Sequence, residues 1–283
     1  MQTCRTVSDI RATVAGFRAA GAGVGLVPTM GALHDGHMAL VSAARAAHDR
    51  VVATIFVNPS QFGQAADLAN YPRTEARDLE LLDAAGVDAV LIPEVAEIYP
   101  EGDETVVETT RLANILHGAV RPGHFRGVTT VVAKLFNICQ PDAAYFGEKD
   151  YQQLHVIRRM VRDLHMPVKV RGVPTVRDTD GLALSSRNTR LTPEDRTAAP
   201  ILSRALDAAQ HGGAATAEDL ARIIRDRIAD EPRATLEGLD IVRLPDFTPA
   251  TGPLTGPVGI MISAEFGSGD NRVLLIDQRE VRP

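Results

Sequence analysis

VGLVPTMGALHDGHMALVSAARAAH, residues 24–48, is the stretch whose reading decides the fold. Residues 24–27 form a buried-strand run that Pro28 is expected to stop. Residues 38–48 place Leu40, Val41, Ala44 and Ala47 on one side at a 3.6-residue period, which predicts a helix. A strand that passes through a short turn into a helix is the opening of a βαβ unit, and the pattern repeats along the chain. Strands are expected at 51–57, closed by Asn58-Pro59, and at 88–92. Between them a helix at 74–85 stacks Leu79, Leu82 and Ala85 and ends at Gly86. An excursion follows, with a short strand at 106–109, then helix 129–139, strand 143–146, helix 150–164 and strand 168–173 before Pro174.

Short strands separated by helices wind right-handed into a parallel sheet. The expected fold class is therefore α/β, a Rossmann-like doubly wound parallel sheet over residues 1–175, with its ligand crevice beyond the carboxyl ends of the strands. The texture changes after Pro174. A polar loop at 177–190 precedes helical stretches at 193–210 and 217–229 and short strands at 240–243, 258–264 and 272–276, an α+β pattern expected to form a smaller C-terminal domain over 176–283.

Composition narrows the function. The 283 residues are 45% hydrophobic and 23% charged, so an ordinary globular core is available, and 30 basic against 36 acidic residues leave a net charge of −6. That balance lacks the basic field needed to grip nucleic acid or an anionic membrane, so neither is expected as a partner and any phosphate site must be local. No apolar run approaches the roughly 18 residues of a membrane span. The first ten residues carry Arg5 and Asp9 without an apolar core, unlike a signal peptide. Cys4 and Cys139 offer neither a disulfide framework nor zinc spacing, which fits a reducing cytoplasm.

Two glycine clusters are discounted as phosphate cradles. Gly21, Gly23 and Gly25 precede a strand instead of following one, and Gly267 and Gly269 sit between two expected strands as a hairpin turn. The turn from Pro28 to His37 is different, because it joins strand to helix at the sheet's carboxyl edge. There His34 and His37 stand near free helix amides that attract phosphate oxygens, and Gly31 and Gly36 permit close approach of the backbone. The same pair could be a plain turn residue and a helix-start residue. A metal reading lacks a third ligand. A second cluster, Phe146-Gly-Glu-Lys-Asp150-Tyr-Gln-Gln153, also lies where a strand enters a helix. Lys149 offers a mobile ammonium for phosphates, Asp150 a plausible N-cap, and Gln153 an amide for a polar ligand. A third, Ser185-Ser-Arg-Asn188, offers hydroxyls and a guanidinium suited to triphosphate, and by itself would read as a turn.

These segments, with Phe56–Phe62 (FVNPSQF), Tyr71-Pro-Arg-Thr74, Arg121-Pro-Gly-His-Phe-Arg-Gly-Val128 and Asp180–Asn188 (DGLALSSRN), resemble the pantoate–β-alanine ligases of the HxGH nucleotidyltransferase superfamily, in order from about residue 24 to 195. The resemblance implies ATP-dependent condensation of D-pantoate with β-alanine through a pantoyl-adenylate, releasing AMP and pyrophosphate. It implies that His34 and His37 contact ATP phosphates, with His37 as proton donor and Lys149 as a further catalytic group. Met30, Gly31 and Gly36 would complete the ATP turn. Gly147, Glu148 and Asp150 would hold the nucleotide, with Asp150 towards the ribose, and Val176, Leu184, Ser185, Ser186 and Arg187 would close over it. Gln61 and Gln153 would bind pantoate, with Asn58 in support. Phe56, Val128, Val131 and Val132 would wall its gem-dimethyl group, or else serve the core alone. Mg²⁺ is expected with ATP, with Asp78 as a contact. The C-terminal domain would act as a lid, and the family implies a homodimer. Ser60 and Leu184 stand where relatives often carry Met, and Leu275-Ile-Asp-Gln278 departs from a Leu-Ile-Asp-Asn ending. Two other readings are a nucleotidyltransferase of the same superfamily that keeps the nucleotide on its product, and a non-catalytic binding module.

Overall fold

The computed structural model describes residues 1–63 and 68–282, and the chain divides into two compact units. The first comprises Met1–Glu148 and Gln152–Pro174; the second comprises Lys149–Tyr151 and the chain from Thr175 onward.

The first unit is built on six parallel strands: β1 (Gln2–Cys4), β2 (Val24–Thr29), β3 (Arg50–Ile55), β4 (Ala89–Leu91), β5 (Ala143–Gly147) and β6 (Lys169–Val173). Their spatial order is β1-β4-β3-β2-β5-β6, so the chain reverses direction across the sheet between β2 and β5. In an open α/β sheet that reversal opens a crevice at the carboxyl ends of the two central strands. Both strand-to-helix turns singled out in the sequence leave from there.

Strand side chains alternate between two cores. Val24, Leu26, Val52, Ala144 and Phe146 pack with helices α1 (Val7–Ala19), α4 (His124–Cys139) and α5 (Tyr151–Asp163). Val27, Val51, Ala53, Ile55, Ala143 and Tyr145 pack with α2 (Asp35–Ala47) and α3 (Glu75–Ala84). Burial on both faces gives the inner strands β2 to β5 near-continuous buried runs.

Several boundaries differ from the sequence reading, each for a physical reason. Pro28 does not end β2; it pairs with Thr54 of β3. Since β5 pairs only with Gly25 and Leu26, β2 is already an edge on that side when Pro28 arrives, and its missing N–H costs nothing there. The expected strand at 106–109 is absent, because the Val107 backbone is satisfied by hydroxyls: its N–H donates to Thr130 Oγ1 (3.0 Å) and its C=O accepts from Thr129 Oγ1. β1 and α1 carried no expectation, yet α1 has a full capping box between Thr6 and Asp9, and β1 pairs with β4. α4 begins at His124, five residues before the predicted start.

In the second unit an antiparallel sheet, β10-β9-β7-β8, uses β7 (Ala234–Arg243), β8 (Thr248–Pro249), β9 (Val258–Phe266) and β10 (Val273–Val281). The expected helix at 193–210 is two helices, α6 (Pro193–Ala198) and α7 (Ile201–His211), because Pro200 lacks the N–H that continuity needs. α7 and α8 (Ala217–Ala229) cover one sheet face, burying Leu202, Leu206, Leu220 and Ile224 against Ile260, Ile262 and Leu275. Among the described residues, no helix is long and apolar enough to cross a membrane.

Candidate active site

In the first unit the turn after β2 is held from below by one buried carboxylate. Asp78, on α3 and 1% exposed, accepts the Ala32 N–H on Oδ2 (2.9 Å) and the Leu33 N–H on Oδ1 (2.8 Å). The Thr74 hydroxyl lies 3.2 Å from both oxygens. Gly31 makes the turn possible. Its φ is +82°, and a Cβ there would stand 3.0 Å from Asp78 Oδ2 and 3.1 Å from Ile55 Cγ2. Both oxygens of Asp78, the expected magnesium contact, accept the turn's own donors in this structure. Among the described residues no group of three or more His, Cys, Asp or Glu side chains could hold a metal, so the residues present do not form a protein cage for Mg²⁺.

The turn delivers His34 as the N-cap of α2 and His37 at its third position. His34 Nδ1 accepts the Gly36 N–H (3.1 Å), and His37 Nδ1 accepts the His34 N–H (3.3 Å). The ring centroids are 4.2 Å apart. An Nδ1 that accepts a backbone N–H carries no proton, so each neutral imidazole holds its hydrogen on Nε2. The capping box, an ordinary helix-start device, thus orients both rings as Nε2–H donors beside the positive end of a helix dipole. The structure places both histidines as helix-start residues, the plainer of the two readings the sequence offered.

Next along the sheet edge, Asn58 (1% exposed) caps the turn Pro59–Gln61 and donates to Gln61 Oε1 (3.1 Å) and Gly127 C=O (3.2 Å). Gln61 Nε2 in turn donates to Met30 Sδ (3.1 Å), joining the two turns. α4 lies hard against this segment: a Cβ on Gly127 would come within 2.4 Å of the Ser60 carbonyl oxygen. Val128, Val131, Val132 and Phe56 belong to the sheet core. Of the adjacent glutamines on α5, Gln152 is buried and ties down the 112–117 segment, donating to Leu112 and Ile115 carbonyls and accepting from His117 N–H. Gln153 is half-buried. Gly147 closes β5 opposite Val173, and the Glu148 N–H donates to the Val173 carbonyl (2.9 Å).

In the second unit, Lys149, Ser185, Arg187 and Asn188 line one cavity together with Leu182, Leu275 and Asp277. Asp150 Oδ2 lies 3.8 Å from the Lys149 ammonium. Ser185 caps the 3₁₀ turn Ser186–Arg190, its Oγ accepting the Arg187 N–H (3.3 Å). The Leu184 N–H donates to the Val176 carbonyl (3.0 Å). Asn188 Nδ2 donates to the Ala183 carbonyl (3.0 Å), while its Oδ1 is buried without a hydrogen bond.

The loop is braced from two sides. Arg177 forms a bidentate pair with Asp277 (2.6 and 2.8 Å) and also donates to the Gly181 carbonyl (3.1 Å). Burial alone would lower the Arg177 pKa, but the hydrogen bonds and charge of Asp277 outweigh it and the guanidinium is held above its ordinary value. Arg196 grips Asp178 (2.6 Å) and Asp180 (2.5 Å). The Thr179 amide and Arg196 hold Asp178 below the usual carboxylate range, and Arg196 does so for Asp180.

The three sequence clusters are thus real turns with rigid supports. Of the supports, Asp78 was expected as a magnesium contact and Thr74 lay in the Tyr71–Thr74 segment, whereas the pairing of Arg177 with Asp277 was not expected from the sequence. A paired polar spacing, Thr74 four residues before Asp78 on a helix start, was the available hint.

The sequence model of the family described as "Pantoate-beta-alanine ligase" matches residues 2–280. A curated "Pantothenate synthetase" from Sinorhizobium medicae (strain WSM419) is 53% identical over 281 residues, covering 97% of this chain and 96% of the relative. The crystal structure of pantothenate synthetase from Thermus thermophilus superposes with a TM-score of 0.91 at 48% identity, with full coverage of both chains. A pantoate-beta-alanine ligase from Francisella tularensis, complexed with beta-gamma ATP and beta-alanine, gives a TM-score of 0.80 at 33% identity, covering 99% of this chain and 97% of that one.

Proposed function

The chain belongs to the pantoate-beta-alanine ligase family, and from that premise we propose how its residues join D-pantoate to β-alanine at the expense of ATP. A carboxylate is a poor acyl donor, so the reaction needs two displacements. One pantoate carboxylate oxygen attacks the α-phosphorus of ATP; a P–O bond forms, and the bond to the bridging oxygen breaks to release pyrophosphate. The β-alanine amine then attacks the activated carbonyl, loses a proton, and expels AMP.

His34 and His37, with protons on Nε2, suit hydrogen bonding to phosphate oxygens as charge grows on the leaving group. For His37, the proposed proton donor, Nδ1 is engaged by the backbone, so the proposed donation is from Nε2. Lys149 supplies the mobile positive charge, and Ser185, Ser186 and Arg187 supply hydroxyl and guanidinium donors for the same triphosphate chemistry. Met30, Gly31, Gly36, Gly147, Glu148, Asp150, Val176 and Leu184 complete the proposed nucleotide ligands. Gln61 and Gln153 are the proposed amide ligands of pantoate, supported by Asn58.

Mg²⁺ would be carried by the phosphates of ATP, where water and phosphate oxygens would be its ligands and its charge would offset that of the triphosphate. The adenylate hydrolyses readily, so the chemistry needs a site that excludes water. Both cysteines are buried and unpaired, in keeping with a reducing cytoplasm. The homodimer remains the family's implication.

The observation that carries the reading is the match over residues 2–280, together with the capped histidine pair at the sheet's reversal point. Incubation with ATP, D-pantoate and β-alanine should release AMP and yield pantothenate by mass spectrometry. ADP as the product would defeat the adenylate mechanism, and a product retaining the nucleotide would favour the other superfamily chemistry.

A further inference from the structure

Gln61 can meet a ligand with either end of its carboxamide, and the two ends are opposites, one a double donor and the other an acceptor. Which end faces outward is settled by a network behind it. Asn58 Nδ2 donates to Gln61 Oε1 (3.1 Å) and to the Gly127 carbonyl (3.2 Å). Asn58 is oriented by its backbone partners: its Oδ1 accepts the Ser60 N–H (3.3 Å), a group that can only donate, and the Ser60 hydroxyl (2.9 Å) and the Tyr99 hydroxyl (2.8 Å) add to that acceptor. The two hydroxyls also touch each other at 2.9 Å. Reversing Asn58 would set its NH₂ against the Ser60 N–H and its oxygen against the Gly127 carbonyl, leaving a buried side chain unsatisfied.

Tyr99 is itself firmly placed. Its ring lies 6.3 Å from Phe56, and the Lys134 ammonium sits 4.6 Å above it while donating to the Ile98 carbonyl (2.9 Å). Burial pushes the Tyr99 phenol above its ordinary pKa, so it stays a donor throughout the neutral range. The outward result is that Gln61 presents Nε2–H₂. In this structure Nε2 rests on Met30 Sδ, a weak acceptor that a substrate oxygen readily displaces.

We propose that Tyr99, assisted by the Ser60 hydroxyl, is a positioning residue that acts through Asn58 to fix the Gln61 carboxamide with its N–H₂ toward the substrate, thereby selecting an acid that offers an acceptor oxygen at that point. The inference rests on the assignment of Gln61 to pantoate and goes beyond it by explaining how the amide is held. Tyr99→Phe removes the hydroxyl's bond to Asn58 and its contact with Ser60 while keeping the ring, its contact with Phe56 and the Lys134 interaction.

The test is steady-state kinetics on the full chain, with ATP and D-pantoate varied separately, for Tyr99→Phe, Ser60→Ala and the double variant. Thermal unfolding is followed alongside. The expected result for Tyr99→Phe is a rise in the pantoate KM of about 3- to 10-fold, the equivalent of one hydrogen bond. The ATP KM and the melting temperature should stay near wild type, and the double variant should show a larger pantoate effect. An unchanged pantoate KM in both Tyr99→Phe and the double variant would overturn the inference, as would an equal rise in both KM values. Failure of the wild type to form pantothenate would instead remove the substrate assignment on which the inference stands.

Discussion

Asp78→Asn separates two roles for the carboxylate beneath the histidine turn. Asp78 accepts two loop amides, one on each oxygen, at 2.9 and 2.8 Å. Asparagine is nearly isosteric but has one oxygen, so one of those amides would face an NH₂ donor. Loss of a charge-assisted bond costs about 1.5–3 kcal/mol, and stranding the buried N–H brings the total to roughly 3 kcal/mol. For a unit of this size each kcal/mol shifts the melting temperature by about 2–4 °C, so a fall on the order of 10 °C is expected. Turnover should fall about 100-fold as well, since the same turn aims His34 and a displacement near 1 Å is enough for that loss. The assay is a melting curve plus a Mg²⁺ titration of the initial rate at saturating ATP. If Asp78 holds the turn, the melting temperature drops and the half-saturating Mg²⁺ concentration stays put. An unchanged melting temperature with a raised Mg²⁺ requirement would refute the reasoning and restore the carboxylate as a metal ligand.

Three other perturbations probe the same chain. His34→Ser keeps an acceptor for the Gly36 N–H and should melt near wild type while losing about 100-fold in turnover. His34→Ala should lose the same activity and about 1 kcal/mol of stability besides; full activity in the serine variant would reduce His34 to a cap. Lys149→Ala should lower turnover by about 100-fold or more without moving the melting temperature, and a rate within twofold of wild type would take the ammonium out of phosphate chemistry. Cys139 has its thiol pushed up to about 12, by burial first and by the neighbouring Cys4 next. The folded state therefore keeps a proton that the unfolded chain loses near pH 9. This contribution to stability is whole below that pH and declines above it, by on the order of 1.4 kcal/mol per unit, until the folded thiol itself ionises. Denaturant melts at pH 8 to 11 should show a shallower decline for Cys139→Ala than for wild type; parallel curves would contradict the burial argument.

Much of the fold was legible because its signals are local. Residues 24–27 and 38–48 announce strand and helix through their own spacing, and repetition of that unit implies a parallel sheet. The misses share a cause. β1 is three residues long and exists by pairing with β4, so nothing within Gln2–Cys4 could announce it. The extended run at 106–109 has strand-like side chains, but its backbone found hydroxyls on α4 before it found another strand.

At the candidate site, the identity of the groups was written in the sequence and their duties were not. HxGH spacing marked His34 and His37, but the proton on Nε2 follows from backbone contacts made only once α2 is capped. Gln153 was singled out in the sequence, but nothing there announced that its neighbour Gln152 would turn inward to the 112–117 segment. Asp78 was expected to meet a magnesium ion, and nothing local announced that packing would carry it to amides 45 and 46 residues away. Local periodicity is set by bonded neighbours and survives in one dimension. Hydrogen-bond partners across the sheet are set by which surfaces bury one another, so only tertiary structure decided them.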